Sequence, residues 1–163
     1  MSESMYANNG SQVEFYTEPS DDVLWQIANQ NGAIADKVFR ALKHTISRAR
    51  SSTGYFMAVL FDDNGQVIGC AGFVQNRKCV SQWLYTDLWI APEHRRQGKA
   101  KMLLRESIGY LHSHSATSLL CTVLPDNYSS IKTQMSLGFK EIPLKPFGFF
   151  EIDDDLLMFE LRF

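Results

Sequence analysis

One stretch constrains this chain more than any other. An apolar run from Trp83 to Ile90 ends at Ala91-Pro92, crosses the basic turn Arg95-Arg96-Gln97-Gly98-Lys99-Ala100, and enters a helical pattern. In that pattern Ala100, Leu103, Leu104, Ile108 and Leu111 recur at helical spacing, while Lys101, Arg105 and Glu106 fall outside the stripe. Such a stripe has to cover a sheet. The turn then lies at the strand's carboxyl end, where the first N–H groups of the helix have no partner within it, an arrangement that attracts phosphate. Gly98, without a Cβ, lets the main chain approach a ligand closely, and Ala100 adds little bulk at the next contact. Arg95, Arg96 and Lys99 supply positive charge around a diphosphate. The same residues also suit an ordinary helix start with solvated basic side chains, so their context has to decide.

The context is an alternation of strand and helix patterns. Val13, Phe15 and Thr17 alternate with polar neighbours as in a half-buried strand that Pro19 ends. Ser20 caps a short helix through Leu24 and Ile27, and a second helix carries Ala35, Val38, Phe39, Leu42, Ile46 and Ala49 on one stripe. Two apolar runs, Tyr55 to Phe61 and Gln66 to Val74, flank Asp62-Asp63-Asn64-Gly65, whose Asn-Gly step favours a hairpin turn. After the basic turn and its helix come a strand at Leu119 to Leu124 and a helix that starts at Pro125-Asp126-Asn127 and stops at Gly138. Two last strands follow, Phe139 to Ile142 and Leu156 to Leu161. The order is that of an α/β protein: a mixed central sheet of about seven strands flanked by about four helices, expected as one domain over residues 1–163 with 1–11 flexible.

Composition excludes several alternatives. With 45% hydrophobic and 21% charged residues the chain has enough apolar surface to order itself. A net charge of -2 gives no global attraction to nucleic acid or to acidic membranes, and no basic stripe interleaves Trp25, Trp83 and Trp89. No nucleic-acid or membrane partner is expected. Cys70, Cys79 and Cys121 form no CxxC pair, and with no basic and apolar leader this predicts a reduced, cytoplasmic protein. His44, His94, His112 and His114 show no ligand spacing, so no metal is expected.

The stretch YTDLWIAPEHRRQGKA, residues 85–100, resembles the core of the GNAT superfamily of CoA-dependent N-acetyltransferases. Arg95, Gly98 and Ala100 match its [QR]-x-x-G-x-[GA] signature; Leu88-Trp89-Ile90-Ala91-Pro92 looks like its fourth strand, and Leu137-Gly138-Phe139 like the Gly-Phe that ends its last helix. Asn127 falls where the family often has a CoA-contacting asparagine. The resemblance covers roughly residues 55 to 142 and rests on motif order. It implies the acyl-CoA N-acyltransferase fold, a mostly antiparallel sheet, with acetyl-CoA as co-substrate and no metal. It also implies that Leu88, Trp89 and Ile90 border pantetheine, with Leu88 and Ile90 pairing to it through the main chain, and that Arg95, Arg96, Gln97, Gly98, Lys99, Ala100 and Asn127 hold the rest of the cofactor. The reaction implied is direct acyl transfer from the thioester to a primary amine of a small molecule, amino acid or peptide.

Removing a proton from an amine of pKa near 10.4 costs about 4–5 kcal/mol at pH 7, so a base or a desolvating site is expected. Asp87 is the carboxylate nearest the expected thioester along this strand, although alternation points it away from the face of Thr86, Leu88 and Ile90 unless a bulge shifts the phase. For the leaving thiolate, many family members use a tyrosine seven positions after the asparagine, and Gln134 stands there instead. Tyr128 is a substitute acid on the same helix, roughly 1.7 turns earlier. Trp25, Phe39 and Tyr55 are candidate walls of the acceptor pocket. The acidic run Glu151 to Asp155, with Phe147, Phe149 and Phe150, would suit a cationic amine or simply form a solvated face. The late aromatics leave packing within the domain and across a homodimer open. Beside the enzyme stand two other readings: a CoA-binding sensor, for which Gln134 argues, and an interaction domain with a purely structural basic turn.

Overall fold

The Asn-Gly step organises the middle of the sheet. Asp62 accepts the N–H groups of Asn64 and Gln66 on its Oδ1, each at 2.9 Å, and Gly65 turns the chain at φ +74°. This folds β3 (Tyr55–Phe61) onto β4 (Val67–Asn76) as an antiparallel pair. The computed structural model describes residues 3–8, 10–52, 54–148 and 151–163, with the backbone alone for 3–8, 51, 52 and 87. In chain order the other elements are β1 (Glu3–Asn8), β2 (Ser11–Tyr16), α1 (Asp21–Asn29), α2 (Ala35–Ser52), β5 (Cys79–Ile90), α3 (Lys99–Ser113), β6 (Ser118–Val123), α4 (Tyr128–Ser136), β7 (Lys140–Ile142) and β8 (Leu157–Arg162).

The eight strands form one sheet in the order β1-β2-β3-β4-β5-β6-β8-β7, antiparallel throughout except for β5 and β6. The extra strand is at the amino end: Glu3–Asn8, expected to be flexible, pairs with β2 through a turn at Gly10, whose φ is +74°. The physical reason is that β2 would otherwise present an unpaired edge, and backbone pairing there does not require an apolar sequence.

Helices cover both faces. Ser20 accepts the Val23 N–H to cap α1, and α1 and α2 lay Leu24, Ile27, Ile46 and Ala49 on Tyr55, Met57, Val59, Cys70 and Val74. On the opposite face, Leu103, Leu104 and Leu111 of α3 meet Phe56, Ala58, Phe73, Tyr85, Leu119 and Cys121, with Ile131 and Leu137 of the α4 region packed beside them. Each fully buried leucine or phenylalanine stabilises this layer by roughly 1.5–3 kcal/mol relative to exposure. All three cysteines are free thiols. Among the described residues no helix is long and apolar enough to cross a membrane.

Candidate active site

The site follows from where two strands stop pairing. β5 and β6 run parallel only from Gln82 opposite Ser118 to Leu84 opposite Leu120, yet β5 continues to Ile90 and β6 to Val123. The two strands therefore open into a wedge. On its other side β5 stays paired to β4, where Cys70 faces Trp89 and Gly72 faces Thr86. One residue separates the β4 pair and two separate the β5 pair, so β5 bulges at Asp87-Leu88. Cys70 and Gly72 share a face; their partners Thr86 and Trp89 must then share one too. Simple alternation grouped Thr86 with Leu88 and Ile90, and the bulge breaks that grouping. Asp87 sits in the bulge, and its side chain is outside the described residues.

A cleft of ≈ 920 Å³ fills the wedge. Tyr85, Thr86, Leu88, Trp89 and Ile90 of β5 form one wall, and Thr122 and Val123 of β6 with Leu124 form the other. The mouth of α3 closes one end with His94, Arg95, Arg96, Gly98, Lys99, Ala100 and Lys101, and α4 contributes Ser129, Ser130 and Thr133 beside Asn127. Of the expected cofactor residues, Gln97 alone does not line the cleft; its Nε2 donates to the Glu93 carbonyl at 3.2 Å.

The helix mouth has a backbone geometry that suits an anion. Arg96 and Gly98 have φ of 58° and 72°, both left-handed, a geometry that in such turns aims consecutive N–H groups into one concavity. Gly98 is the N-cap of α3 with no side-chain cap, and the first bond within the helix runs from the Met102 N–H to the Gly98 carbonyl at 2.9 Å. The N–H groups of Lys99, Ala100 and Lys101 precede that bond and have no helical acceptor. A Cβ placed on Gly98 would meet nothing within 4 Å. Two of the basic side chains are tied to the rest of the fold. Arg95 donates from Nε to the Ile90 carbonyl at 2.8 Å, which ties the turn to the end of β5 and occupies one of the main-chain acceptors expected for pantetheine. Lys99 donates from Nζ to Ser11 Oγ at 2.8 Å.

The remaining expected residues divide. Asn127 lines the cleft while its side chain caps α4 by accepting the Ser130 N–H at 3.2 Å, leaving its amide N–H groups as donors. Tyr128 is 74% exposed and does not line the cleft, because the first residue of α4 points to solvent. Trp25, 38% exposed, packs edge-on against Phe39 at 5.6 Å, away from the cleft. Tyr55 is buried, yet its hydroxyl lies 3.1 Å, and Thr86 Oγ1 3.2 Å, from where a Cβ on Gly72 would be. It therefore approaches the cleft wall from below. Phe147 is a core residue near Leu120 and Met158, Phe149 and Phe150 lie outside the described residues, and Asp153, Asp154 and Asp155 are exposed just before cleft-lining Leu156.

Sequence reasoning missed a polar group at the wedge's apex. Tyr85 and Cys121 are the residues next after the last pair, Leu84 and Leu120, and Gln134 of α4 lies over them, fully buried. Burial pushes the Tyr85 hydroxyl well above its ordinary range, the Cys121 thiol raises it further, and a hydrogen bond from Gln134 draws it partly back. Burial likewise pushes the Cys121 thiol up to about 12. The signal was available in the polar Gln134 on a helix face otherwise turned to the core. Ser129, Ser130 and Thr133 were legible in the same way, as the small polar residues after a helix start. Among the described residues no group of three or more His, Cys, Asp or Glu is placed to hold a metal.

A bulged strand that parts from its parallel neighbour and feeds an uncapped helix mouth defines a class, the acyl-CoA N-acyltransferase fold. The chain belongs to the acetyltransferase (GNAT) family, whose sequence profile matches residues 14–139. Membership makes it an acyltransferase of the acetyl-CoA-dependent class. Similar solved structures include an acetyltransferase from Streptococcus agalactiae at 13% identity, covering 96% of this chain and 100% of that one with a TM-score of 0.71. A dodecameric spermidine N-acetyltransferase from Vibrio cholerae is 16% identical over 95% of each chain, with a TM-score of 0.71. A Salmonella typhimurium structure described with its cofactor acetyl-CoA is 17% identical over 94% of each chain, with a TM-score of 0.66. No curated protein matches the sequence significantly.

Proposed function

We propose that this chain moves an acetyl or short acyl group from acetyl-CoA to a primary amine of a small molecule, amino acid or peptide, by direct attack in a ternary complex. The observation that carries the reading is the uncapped mouth of α3, open above Gly98, at one end of the β5–β6 wedge. Those features fit a diphosphate with an extended arm. The N–H groups of Lys99, Ala100 and Lys101 would hold the pyrophosphate, Arg95 and Arg96 would neutralise it, and Leu88, Trp89, Ile90 and Asn127 would border the arm. When bound, acetyl-CoA supplies an activated thioester carbonyl.

The main chain of the bulge is the natural donor to an oxygen gaining negative charge, because a bulge leaves N–H groups outside the ladder. Asp87 in that bulge is the proposed base for the amine, and Thr86 and Trp89 would face the acceptor together with the underlying Tyr55. The acidic run Asp153 to Asp155 would favour a cationic amine. A spermidine N-acetyltransferase and a ribosomal-protein-S5-alanine acetyltransferase stand among the similar structures, and both names point to amine acceptors of the kinds proposed.

The test is thiol release from acetyl-CoA across a panel of polyamines, amino acids and peptides. Turnover with at least one amine is expected, and CoA should raise the melting temperature. Stabilisation by CoA without turnover on any amine would instead favour the sensor reading, which the non-titratable Gln134 supports. Absence of both would leave the basic turn structural.

A further inference from the structure

The buried polar group at the apex of the wedge has a cost that the fold does not explain. Gln134 has no exposed surface, its Oε1 finds no hydrogen-bond partner among the described residues, and its Nε2 reaches Ser130 Oγ only at 3.5 Å. Leaving such an atom unpaired destabilises a fold, and a leucine there would pack without that penalty. Its neighbour Tyr85 lines the cleft, whereas Gln134 and Cys121 do not. Phe73 and Phe139 flank the Tyr85 ring at centroid distances of 6.0 and 6.2 Å, and Tyr85 is the β5 residue at which β5 and β6 separate.

A phenol has one proton and can rotate it. Gln134 and Cys121 lie beside the Tyr85 hydroxyl, whose proton can turn toward Cys121, a weak acceptor, or into the cleft that Tyr85 lines. A thiolate in the cleft is a far better acceptor than a neutral thiol. We infer that Tyr85 is the hydrogen-bond donor to the departing sulfur of the acyl donor, held in place by Gln134 and Cys121. The inference rests on the acyltransferase reading and deepens it, because it assigns the leaving-group step to a strand residue rather than to α4. Transfer forms a carbon–nitrogen bond, breaks the carbon–sulfur bond with its electron pair left on sulfur, and releases the amine's surplus proton, which balances that charge. Tyr85 keeps its own proton throughout. Its raised pKa suits this role, since a neutral phenol remains a donor across the whole working range.

The test uses the full chain with free CoA as the probe. The thiol of bound CoA is titrated by the ultraviolet absorbance of its thiolate, in the wild type, Tyr85→Phe and Gln134→Met, with melting curves to show that each is folded. A donor at sulfur should hold the bound thiol below the value that free CoA shows in the same titration. Tyr85→Phe should raise it by about one unit and lower kcat about 10-fold or more with KM for acetyl-CoA unchanged. Gln134→Met should move it the same way by less, and it carries the test if Tyr85→Phe does not fold. A bound-thiol pKa identical in wild type and variants overturns the inference while leaving the acyltransferase intact. Failure of the wild type to bind CoA overturns both, and that result is distinguishable from the first.

Discussion

Replacing Gly98 by alanine separates two effects that a single measurement would confuse. At φ +72° an L-residue pays for a left-handed backbone, about 1–2 kcal/mol, and a Cβ there touches no protein atom within 4 Å. Stability should therefore fall by that amount alone, which for a chain of this size is roughly 2–8 °C in melting temperature. Gly65 is a matched control: its φ is +74°, its added Cβ also meets nothing within 4 Å, and it lies in the β3–β4 turn outside the cleft. Gly65→Ala should cost the same stability. The two should part on ligand binding. The Gly98 Cβ would project into the open cleft and push a diphosphate off at least one main-chain N–H, losing a charge-assisted hydrogen bond of about 1.5–3 kcal/mol. This corresponds to a Kd for CoA roughly 10- to 150-fold weaker. Isothermal titration of CoA into wild type, Gly98→Ala and Gly65→Ala reads it directly. Equal Kd values for the two variants would refute the cradle, because the backbone strain they share would then account for everything.

Four further outcomes follow from the site. Asp87→Asn should lower kcat by at least about 100-fold near neutral pH and flatten the acidic limb of the pH–rate profile, measured with the best amine of the panel. Tyr128→Phe should leave kcat within about twofold, since a side chain 74% exposed outside the cleft has no route to the leaving group. Cys121, with its pKa raised from 9.0 to about 12, stays a neutral thiol in the folded state while the unfolded thiol ionises. Its contribution is therefore fully present below about pH 9 and is lost as pH rises toward 12, so urea midpoints should decline over that window and decline less in Cys121→Ala. Iodoacetamide at pH 8 should accordingly label exposed Cys79 and spare Cys121 in the native chain, as read by mass spectrometry.

What the sequence discloses and what it hides divide along a physical line. The α2 stripe, the Asn-Gly hairpin and the apolar face of α3 are local patterns. Each residue's burial there is set by a period of 3.6 or 2 within one element, and all three appear where the spacing puts them. The helix mouth is legible for the same reason, since Gly98 and its basic neighbours act through their own backbone. The partners of Arg95 and Lys99 are not, because Ser11 lies far away in the chain and meets Lys99 only once β2 has joined the sheet. The strand at Glu3–Asn8 is hidden in the same way: its pairing is decided by the free edge of β2, and nothing in its own composition announces that edge.

The bulge in β5 shows why the proposed catalytic residues are harder to read than the helix mouth. A period of two assigns faces only while the register holds, and one extra residue opposite Ala71 reverses every assignment beyond it. Before the bulge Tyr85 faces the α3 and α4 layer and Thr86 the α1 and α2 layer; after it Trp89 returns to the side of Thr86. The wedge thereby acquires two chemically different faces. Tyr85, Cys121 and Gln134 gather on the face that shares its side with the helix mouth, while Thr86 and the Tyr55 hydroxyl gather on the other. An acyl group held between the strands would be approached from opposite sides, the leaving sulfur by the first face and the amine by the second. That separation is what direct transfer demands, since the nucleophile and the leaving group must occupy the acyl carbon's surroundings at once. In the proposed mechanism β5 would thereby serve both partners with neighbouring residues. Without the bulge, Thr86 and Trp89 would lie on opposite faces, and the proposed acceptor side would lose one of them.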